Sequence, residues 1–420
     1  MLHSGSFRFG FAIVVLILLF AVSSVFATNG YFSHGYGTRY KAIAGAGVAL
    51  YLSPMGVATN PASAAFLGKQ LDVGFSVFNP NREYTVTGNP SGFPGTFPLM
   101  PGTVESDSKI FVVPHLGVNF ALPNGNHAIT LAVYGNGGMN TDYPVKTFDN
   151  PSLTFDPPTG VNLSQLFANA TYSREIISNH SIGISGIFVF QQFKAEGLSA
   201  FGGFSSDPSK LTNNGTDNST GFGFRVGYLG NLSPVISIGG AFQSKMYMKK
   251  FDKYAGLFAE MGDFDVPANW TAGIAVHPGT AWTIALDVQQ ILYSKIKSIG
   301  NPLDLVNNSP VDQNGQPNPN FKPLGDPDGW GFGWQDIFVF KVGAQWQAAA
   351  NTTVRGGYSY AEQPIPDSEV MFNILAPGVI QHHITLGLSQ VLSPKVTLNI
   401  ALMHALSHTV TGPNPFEAPG

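Results

Sequence analysis

What most limits the folds open to this chain is a period-two pattern. From about Leu71 onward, stretches recur in which apolar residues alternate with small or polar ones, as in Phe222-Gly223-Phe224-Arg225-Val226-Gly227-Tyr228 and Val354-Arg355-Gly356-Gly357-Tyr358-Ser359-Tyr360. Successive side chains of an extended strand point to opposite faces, so each stretch builds a strand with one bulky apolar face and one small, wet face. A soluble sandwich would bury its apolar face against a second sheet. The consistently small and polar opposite face fits instead a membrane barrel with a wet or ligand-filled interior. Charged residues are only 11% of the chain while aromatics are 12%, with 33 phenylalanines. That shortage of charge suits a surface covered by lipid rather than by water. There is no cysteine, so inter-strand hydrogen bonds rather than disulfides must hold the fold.

The amino terminus gives the compartment. Arg8 precedes an apolar run over residues 11–22, and Val25-Phe26-Ala27 resembles a small-residue cleavage site. Residues 1–27 therefore read as a secretory signal peptide, with a mature chain starting near Thr28. After it, no stretch reaches the roughly 18 consecutive apolar residues of a membrane helix. A net charge of −4 leaves no basic patch, which argues against a nucleic-acid partner.

Residues 28–69 lack the alternation. They are rich in Gly and Ala and read as a compact, partly helical segment that packs inside something. Thirteen strand candidates follow, near 71–86, 107–122, 127–135, 163–176, 180–194, 219–231, 234–248, 266–277, 280–297, 333–348, 351–362, 379–391 and 394–410. Short turns fall at 123–126, 231–234, 277–279, 349–351 and 392–394, and long connections at 87–106, 136–162, 195–218, 298–332 and 363–378. Short and long alternate as in an outer-membrane barrel, with tight turns on the periplasmic side and extended loops outside.

Parity assigns the faces. Ile182, Ile184, Phe188, Phe190, Phe224, Phe340, Val396, Leu398, Ile400 and Leu402 are expected to face lipid, with Gly183, Ser185, Gln191, Thr397, Asn399 and Ala401 inside. Arg225, Lys341 and Arg355 also point inward. Such cations either meet a substrate carboxylate in an apolar pocket or pair with Asp287 and carboxylates of the inner segment to hold it in place. His382 and His383 are adjacent and so face opposite ways, while His404 and His408 share a face about 13 Å apart; neither pair suggests a metal site, and no cofactor is expected. Ser, His and Asp are present without a Gly-x-Ser-x-Gly elbow beside a suitable His, so an enzyme is not expected.

Two blocks then carry a family resemblance. Thr28-Asn29-Gly30-Tyr31-Phe32-Ser33-His34-Gly35-Tyr36-Gly37, followed by Ala44-Gly45-Ala46-Gly47 and Ala58-Thr59-Asn60-Pro61-Ala62, resembles the amino-terminal plug of the FadL/TodX family of outer-membrane transporters for fatty acids and hydrocarbons. Arg355-Gly356-Gly357-Tyr358-Ser359-Tyr360, with Pro364-Ile365-Pro366-Asp367 and the block from Phe372 to Ile380, is similar to that family's late-barrel signature. The resemblance implies an all-β, monomeric barrel of the 14-stranded FadL type, with a plug over 28–69 and the barrel over 70–420. It implies facilitated diffusion of long-chain fatty acids or aromatic hydrocarbons without energy coupling, release sideways into outer-membrane lipid, and insertion by the outer-membrane assembly machinery. Only about thirteen strands are legible, and the last residues have loop chemistry, so the expectation is a barrel whose final strand is missing from the sequence.

In that family the sideways exit is a kink in the third strand. Tyr134-Gly135-Asn136-Gly137-Gly138 is its expected counterpart, or alternatively a glycine-rich loop entrance; bulky side chains at Gly135 or Gly137 would narrow the gap. Phe32 is expected to touch ligand at the mobile start of the plug, and Asn60 and Pro61 to end a plug helix and fix the crossing on the periplasmic side. Two other readings stay open. One is a barrel-embedded lipid hydrolase, marked by a Ser and His in hydrogen-bonding distance; the other is a non-transporting structural or adhesive barrel, marked by a plug that leaves no apolar pocket.

Overall fold

The computed structural model describes residues 28–90, 99–123, 126–148, 156–304, 308–311 and 316–415. The signal peptide expected over 1–27, the centre of the turn at 123–126 and the tail 416–420 lie outside the described residues. One antiparallel sheet forms the body, with wall strands β1 (Gln70–Phe78), β2 (Phe111–Ala121), β3 (His127–Asp142), β4 (Gly160–Ile177), β5 (His180–Glu196), β6 (Asp217–Asn231), β7 (Ile236–Gln243), β8 (Asn269–Val276), β9 (Trp282–Ile291), β10 (Ile337–Ala349), β11 (Thr352–Ala361), β12 (His382–Ser393) and β13 (Val396–Ala405). Each pairs with its neighbours in sequence, without crossovers. The short turns all fall at one end of the sheet and the long connections at the other.

The sheet curls on itself around the amino-terminal segment. Lys41 Nζ donates to Ser76 Oγ on β1 at 2.7 Å, and Arg39 Nε donates to Asn399 Oδ1 on β13 at 3.1 Å. One four-residue helix, Thr38–Lys41, thus touches both the first strand and the last. Burial brings the Lys41 ammonium down to about 8. Among the described residues β1 and β13 do not pair with each other.

The two faces follow the parity of the sequence. Val73 and Phe75 on β1, Phe188 on β5, Phe224 on β6, Phe340 on β10 and Leu398 on β13 are exposed, and Phe190 and Ile400 are half-buried on the same faces. Exposure this extensive, reaching 72% at Val73, is a liability in water and the normal state of a lipid-facing band. At the short-turn end Trp282 and Trp346 stack at 5.7 Å, in the manner of an interfacial aromatic belt. Arg225, Asp287, Lys341, Arg355 and His383 are buried on the opposite face.

Residues 28–67 account for that burial. Ser173 Oγ and Ser181 Oγ donate to the Pro61 and Ala62 carbonyls at 2.6 and 2.8 Å, and Asn119 Nδ2 donates to Leu67 and Gly68. Inward glycines let the backbone of this segment touch the wall. A β-carbon at Gly227 would lie 2.1 Å from Asn60 Oδ1, one at Gly239 2.1 Å from the Val48 carbonyl oxygen, and one at Gly387 2.3 Å from Ala42 Cβ.

Asn60 lies between two 3₁₀ turns, Pro54–Ala58 and Pro61–Phe66, and caps the second by accepting from Ala62 N at 3.0 Å. Its Nδ2 also donates to the Tyr228 carbonyl at 2.8 Å, near the short-turn end of β6. Its own N–H donates back to the Gly56 carbonyl at 2.8 Å, so Asn60 closes the first turn and begins the second.

Other boundaries differ from expectation as well: the strand expected over 280–297 ends at Ile291, and the one expected from 333 starts at Ile337. Pro80 cannot donate to a ladder, so β1 stops at Phe78 and Glu83–Val86 pairs separately with Gly102–Glu105. The third strand does not end at 135 but continues through its glycines to Asp142, because β4 supplies partners throughout. The segment 249–268 forms a further long connection, a cap in which Phe251, Tyr254 and Phe258 pack around Phe193 of β5.

Candidate functional site

Among the described residues, the wall is interrupted between the neighbouring strands β2 and β3. β2 and β3 pair from Ala121↔Ala128 up to His115↔Tyr134 and no further. Above His115, β2 stays with β1, while β4 is the wall strand that β3 keeps. The strands' surroundings meet again at Asp142, whose carbonyl accepts from Asp107 N at 2.7 Å and whose N–H donates to Ser106 Oγ at 2.9 Å. From Gly135 to Thr141 the edge of β3 is therefore a window in the wall, about 20 Å long at ~3.4 Å per residue.

A register break lies at its base. Gly135 pairs with Leu166 and Gly137 with Gln165, so Asn136 is an extra residue, a β-bulge. Its side chain turns inward, where Oδ1 accepts from Tyr36 Oη at 2.6 Å and Nδ2 donates to Gln165 Oε1 at 3.1 Å. Burial raises the Tyr36 phenol well above its ordinary range, which keeps it a donor.

The start of the amino-terminal segment occupies the window. Phe32 is the Cα partner of Gly137, and Gly138 N donates to the Tyr31 carbonyl at 3.2 Å. Tyr31 sits in an aromatic cluster, with ring centroids 5.2 Å from Phe32, 5.4 Å from Tyr293, 6.0 Å from Trp334 and 6.4 Å from Phe264. Tyr293 Oη ties the backbone down, accepting from Tyr31 N at 3.2 Å and donating to the Asn29 carbonyl at 2.6 Å.

Two cavities flank this closure. On the long-loop side lies a cavity of about 750 Å³ bordered by Tyr31, Met139, Trp334, Ile365, Met371 and Ile374, with Arg82 on its wall; it also reaches Gly138 and Asn140 at the window. Below Phe32 is a chamber of about 20 Å³, bordered by His34, Tyr36, Arg225, Asn269, Thr271, Gln289 and Lys341. It has room for about one water.

The structure brings together Phe32, Arg225 and Lys341 at this chamber, and Gly137 and Gly138 at the window. Arg225 Nη1 donates to the Val57 carbonyl at 3.0 Å and Lys341 Nζ to the His34 carbonyl at 3.2 Å and to Gln289 Oε1 at 2.9 Å. Both cations thus hold backbone oxygens of the plug, where the sequence had suggested carboxylates. Asp287 does not bond to Lys341; its Oδ2 accepts from Gly47 N at 2.7 Å and Val48 N at 2.9 Å. Arg355 lies apart from the chamber and donates to Gln345 and Ser389. Gly135 sits at the base of the window, facing Val113.

Two serines do contact histidines. Ser359 Oγ lies 3.3 Å from His383 Nδ1, and Ser237 Oγ lies 3.3 Å from His277 Nε2, with Thr283 on the other ring nitrogen of His277. Neither histidine is bonded to a carboxylate among the described residues. His115, which pairs with Asp72 at 3.5 Å, has no serine bonded to it there. A general base held by an acid beside a nucleophile is therefore not assembled at these positions.

Sequence reasoning missed Tyr293, Trp334, Asn136 and Phe264. Tyr293 and Trp334 fell inside the strand candidates 280–297 and 333–348 but lie beyond the observed ends of β9 and β10, and Phe264 lies in a long connection, where no period marks a direction. Asn136 was visible only as one member of a glycine run.

Residues 14–414 match the family described as outer membrane protein transport protein (OMPP1/FadL/TodX). No curated protein matches the chain. Among solved structures, the fold is similar to the toluene transporter TodX of Pseudomonas putida, at 18% identity over 91% of this chain and 94% of that one, with a TM-score of 0.62. It is also similar to the toluene transporter TbuX of Ralstonia pickettii, at 18% identity over 90% and 94%, TM-score 0.59. A FadL homologue of Pseudomonas aeruginosa matches at 15% identity over 89% and 90%, TM-score 0.59.

Proposed function

This chain belongs to the OMPP1/FadL/TodX family of outer membrane transport proteins, and from that premise we propose that it carries hydrophobic small molecules inward by facilitated diffusion and releases them sideways into the bilayer. The observation that carries this reading is the placement of Phe32 on the one stretch of β3 that β2 leaves unpaired. The external cavity borders the same stretch, so a solute resting there lies beside both the plug start and the way out. An apolar solute leaving through the wall stays out of the water it would meet below the barrel. Residues 28–69 act as the plug, residues from 70 onward as the barrel, and the unit of function is a monomer delivered by the outer-membrane assembly machinery.

The preferred cargo is an apolar chain with a single carboxylate. Arg225 and Lys341 both border the inner chamber, and among the described residues no Asp or Glu does. A carboxylate is the stronger acceptor for either cation than a plug carbonyl. The chamber is too small for a head group while Phe32–Tyr36 stay in place, so entry of the head group and withdrawal of the plug start are one event. The toluene transporters among the structural neighbours make aromatic hydrocarbons the alternative cargo. Catalysis has no part in this proposal, since the serine–histidine contacts lack an acid partner.

The test is uptake of a labelled long-chain fatty acid and of labelled toluene by a host deleted for its own channel and expressing the full chain. Fatty-acid uptake above the empty host is expected. Uptake of toluene alone would keep the channel and overturn the carboxylate; uptake of neither, at verified surface levels, would overturn the channel.

A further inference from the structure

A chain of buried amides connects the outside cap to the bulge. The Phe264 carbonyl accepts from Gln191 Nε2 at 2.9 Å, Gln191 Oε1 accepts from Gln165 Nε2 at 3.1 Å, Gln165 Oε1 accepts from Asn136 Nδ2 at 3.1 Å, and Asn136 Oδ1 accepts from Tyr36 Oη at 2.6 Å. Gln165 and Gln191 are cross-strand partners on β4 and β5, so the two middle links are rigid parts of the wall. Asn136, Gln165 and Gln191 are all buried. Each amide uses its donor in one direction and its acceptor in the other, and losing any link strands a buried polar group, which costs about 1–3 kcal/mol.

Phe264 also meets the plug from the other side. Its buried ring lies 6.4 Å from Tyr31 and 4.7 Å from Phe258 of the cap, and Tyr31 is the residue whose carbonyl holds Gly138. One cap residue therefore supports the closed window twice: its ring backs Tyr31 and its carbonyl anchors the amides that fix Asn136 and Tyr36. The element with two states is the plug start, paired to β3 or released from it, and Phe264 biases that equilibrium from outside.

We infer that the cap segment 249–268 is the external release catch of the sideways exit, with Phe264 as its positioning residue: lifting Phe264 frees Tyr31 and breaks the amide chain to the bulge in the same movement. This rests on the reading of the window as the exit. It assigns the trigger to the outer face, on a segment distinct from the cations that receive the cargo.

The chain has no cysteine, so the cap can be tied down by one engineered disulfide. Met246 and Val266 exchange both backbone hydrogen bonds, at 3.0 and 3.2 Å, a geometry that a disulfide between facing strand residues can span. In the full-length channel in lipid vesicles, Met246→Cys with Val266→Cys should take up labelled fatty acid about tenfold more slowly when oxidised than when reduced, and adding Gln191→Leu should restore most of the loss, an effect within the usual range of coupling between sites. Equal uptake in the oxidised and reduced states, or no relief from Gln191→Leu, would overturn the inference. Independently, Gln191→Leu alone should raise amide exchange at Gly138 about tenfold without changing exchange in β8–β10, whereas Gln192→Leu, on the outer face, should not. A rise spread over all strands, or none at Gly138, would count against it. If the reduced double variant and the native channel both fail to pass any apolar probe, the transport reading itself falls; uptake indifferent to the disulfide sinks only the catch.

Discussion

Tyr31 leaves no room for a side chain on Gly137: a β-carbon there would lie 1.7 Å from the Tyr31 carbonyl oxygen. The side chain of Gly137→Val would thus displace the plug start rather than narrow the exit. Weakening the closing hydrogen bonds by about 1–2 kcal/mol should leave the window open roughly tenfold more often. Leak of a small dye from vesicles should rise accordingly, while heat-modifiable gel mobility shows the barrel assembled. An unchanged leak in a folded barrel would mean that Tyr31 does not close this window.

Asp287 grips the middle of the plug, since one carboxylate oxygen receives two plug amides. Asp287→Ala should cost about 3 kcal/mol of plug docking, the usual loss for hydrogen bonds to a charged acceptor. Amide exchange at Gly47 and Val48 should quicken strongly, with protection in the wall strands retained. Slow exchange at both amides in the variant would contradict this role.

Lys341→Met removes the cation that holds the His34 carbonyl. If Lys341 receives a carboxylate, fatty-acid uptake should fall about tenfold while toluene uptake holds or rises, because only the charged cargo loses a partner worth about 1.5–3 kcal/mol. Equal losses for both cargoes would assign Lys341 to the plug alone.

The cap should tighten in acid. Burial, and then the nearby Asp265 carboxylate, push the Asp263 carboxyl from its ordinary 3.8 up to about 6. The folded cap then binds a proton more readily than the open one, so the stabilisation is complete below the ordinary value and fades as pH rises through about 6. Limited proteolysis of the cap should be slower near pH ~5 than near pH ~7.5, and Asp263→Asn should abolish the difference. Equal cleavage at both values in the native channel would remove Asp263 from the account.

Period-two alternation was enough to direct Phe188, Phe224, Phe340 and Leu398 outward and Arg225, Lys341 and Arg355 inward, because a strand's faces are set by local geometry. What those cations touch was not legible. Their acceptors are the carbonyls of Val57 and His34, and a backbone carbonyl leaves no mark on the sequence. The window was half legible for a similar reason. Gly135 and Gly137 signalled an irregular strand, but that β2 abandons β3 above His115 depends on a pairing partner far along the chain. Phe264 gave no signal, since a phenylalanine in a long connection reads like the 32 others until its neighbours are known.

The helix Thr38–Lys41, which touches both β1 and β13, sets an order of events during folding. Arg39 and its partner Asn399 are 360 residues apart, and Ala44 reaches Thr385 across 341. Contacts this distant are the last to form and the slowest. The amino-terminal segment leaves the ribosome first, yet the bonds that hold Arg39, Lys41, Ala44, Gly47 and Val48 in place come from strands made later. The bore of the curled wall is filled by that segment, which meets β4, β5, β6 and β13 at once. The segment must therefore be waiting at the centre, still without its final form, while the sheet winds about it, so the barrel is moulded on its own gatekeeper.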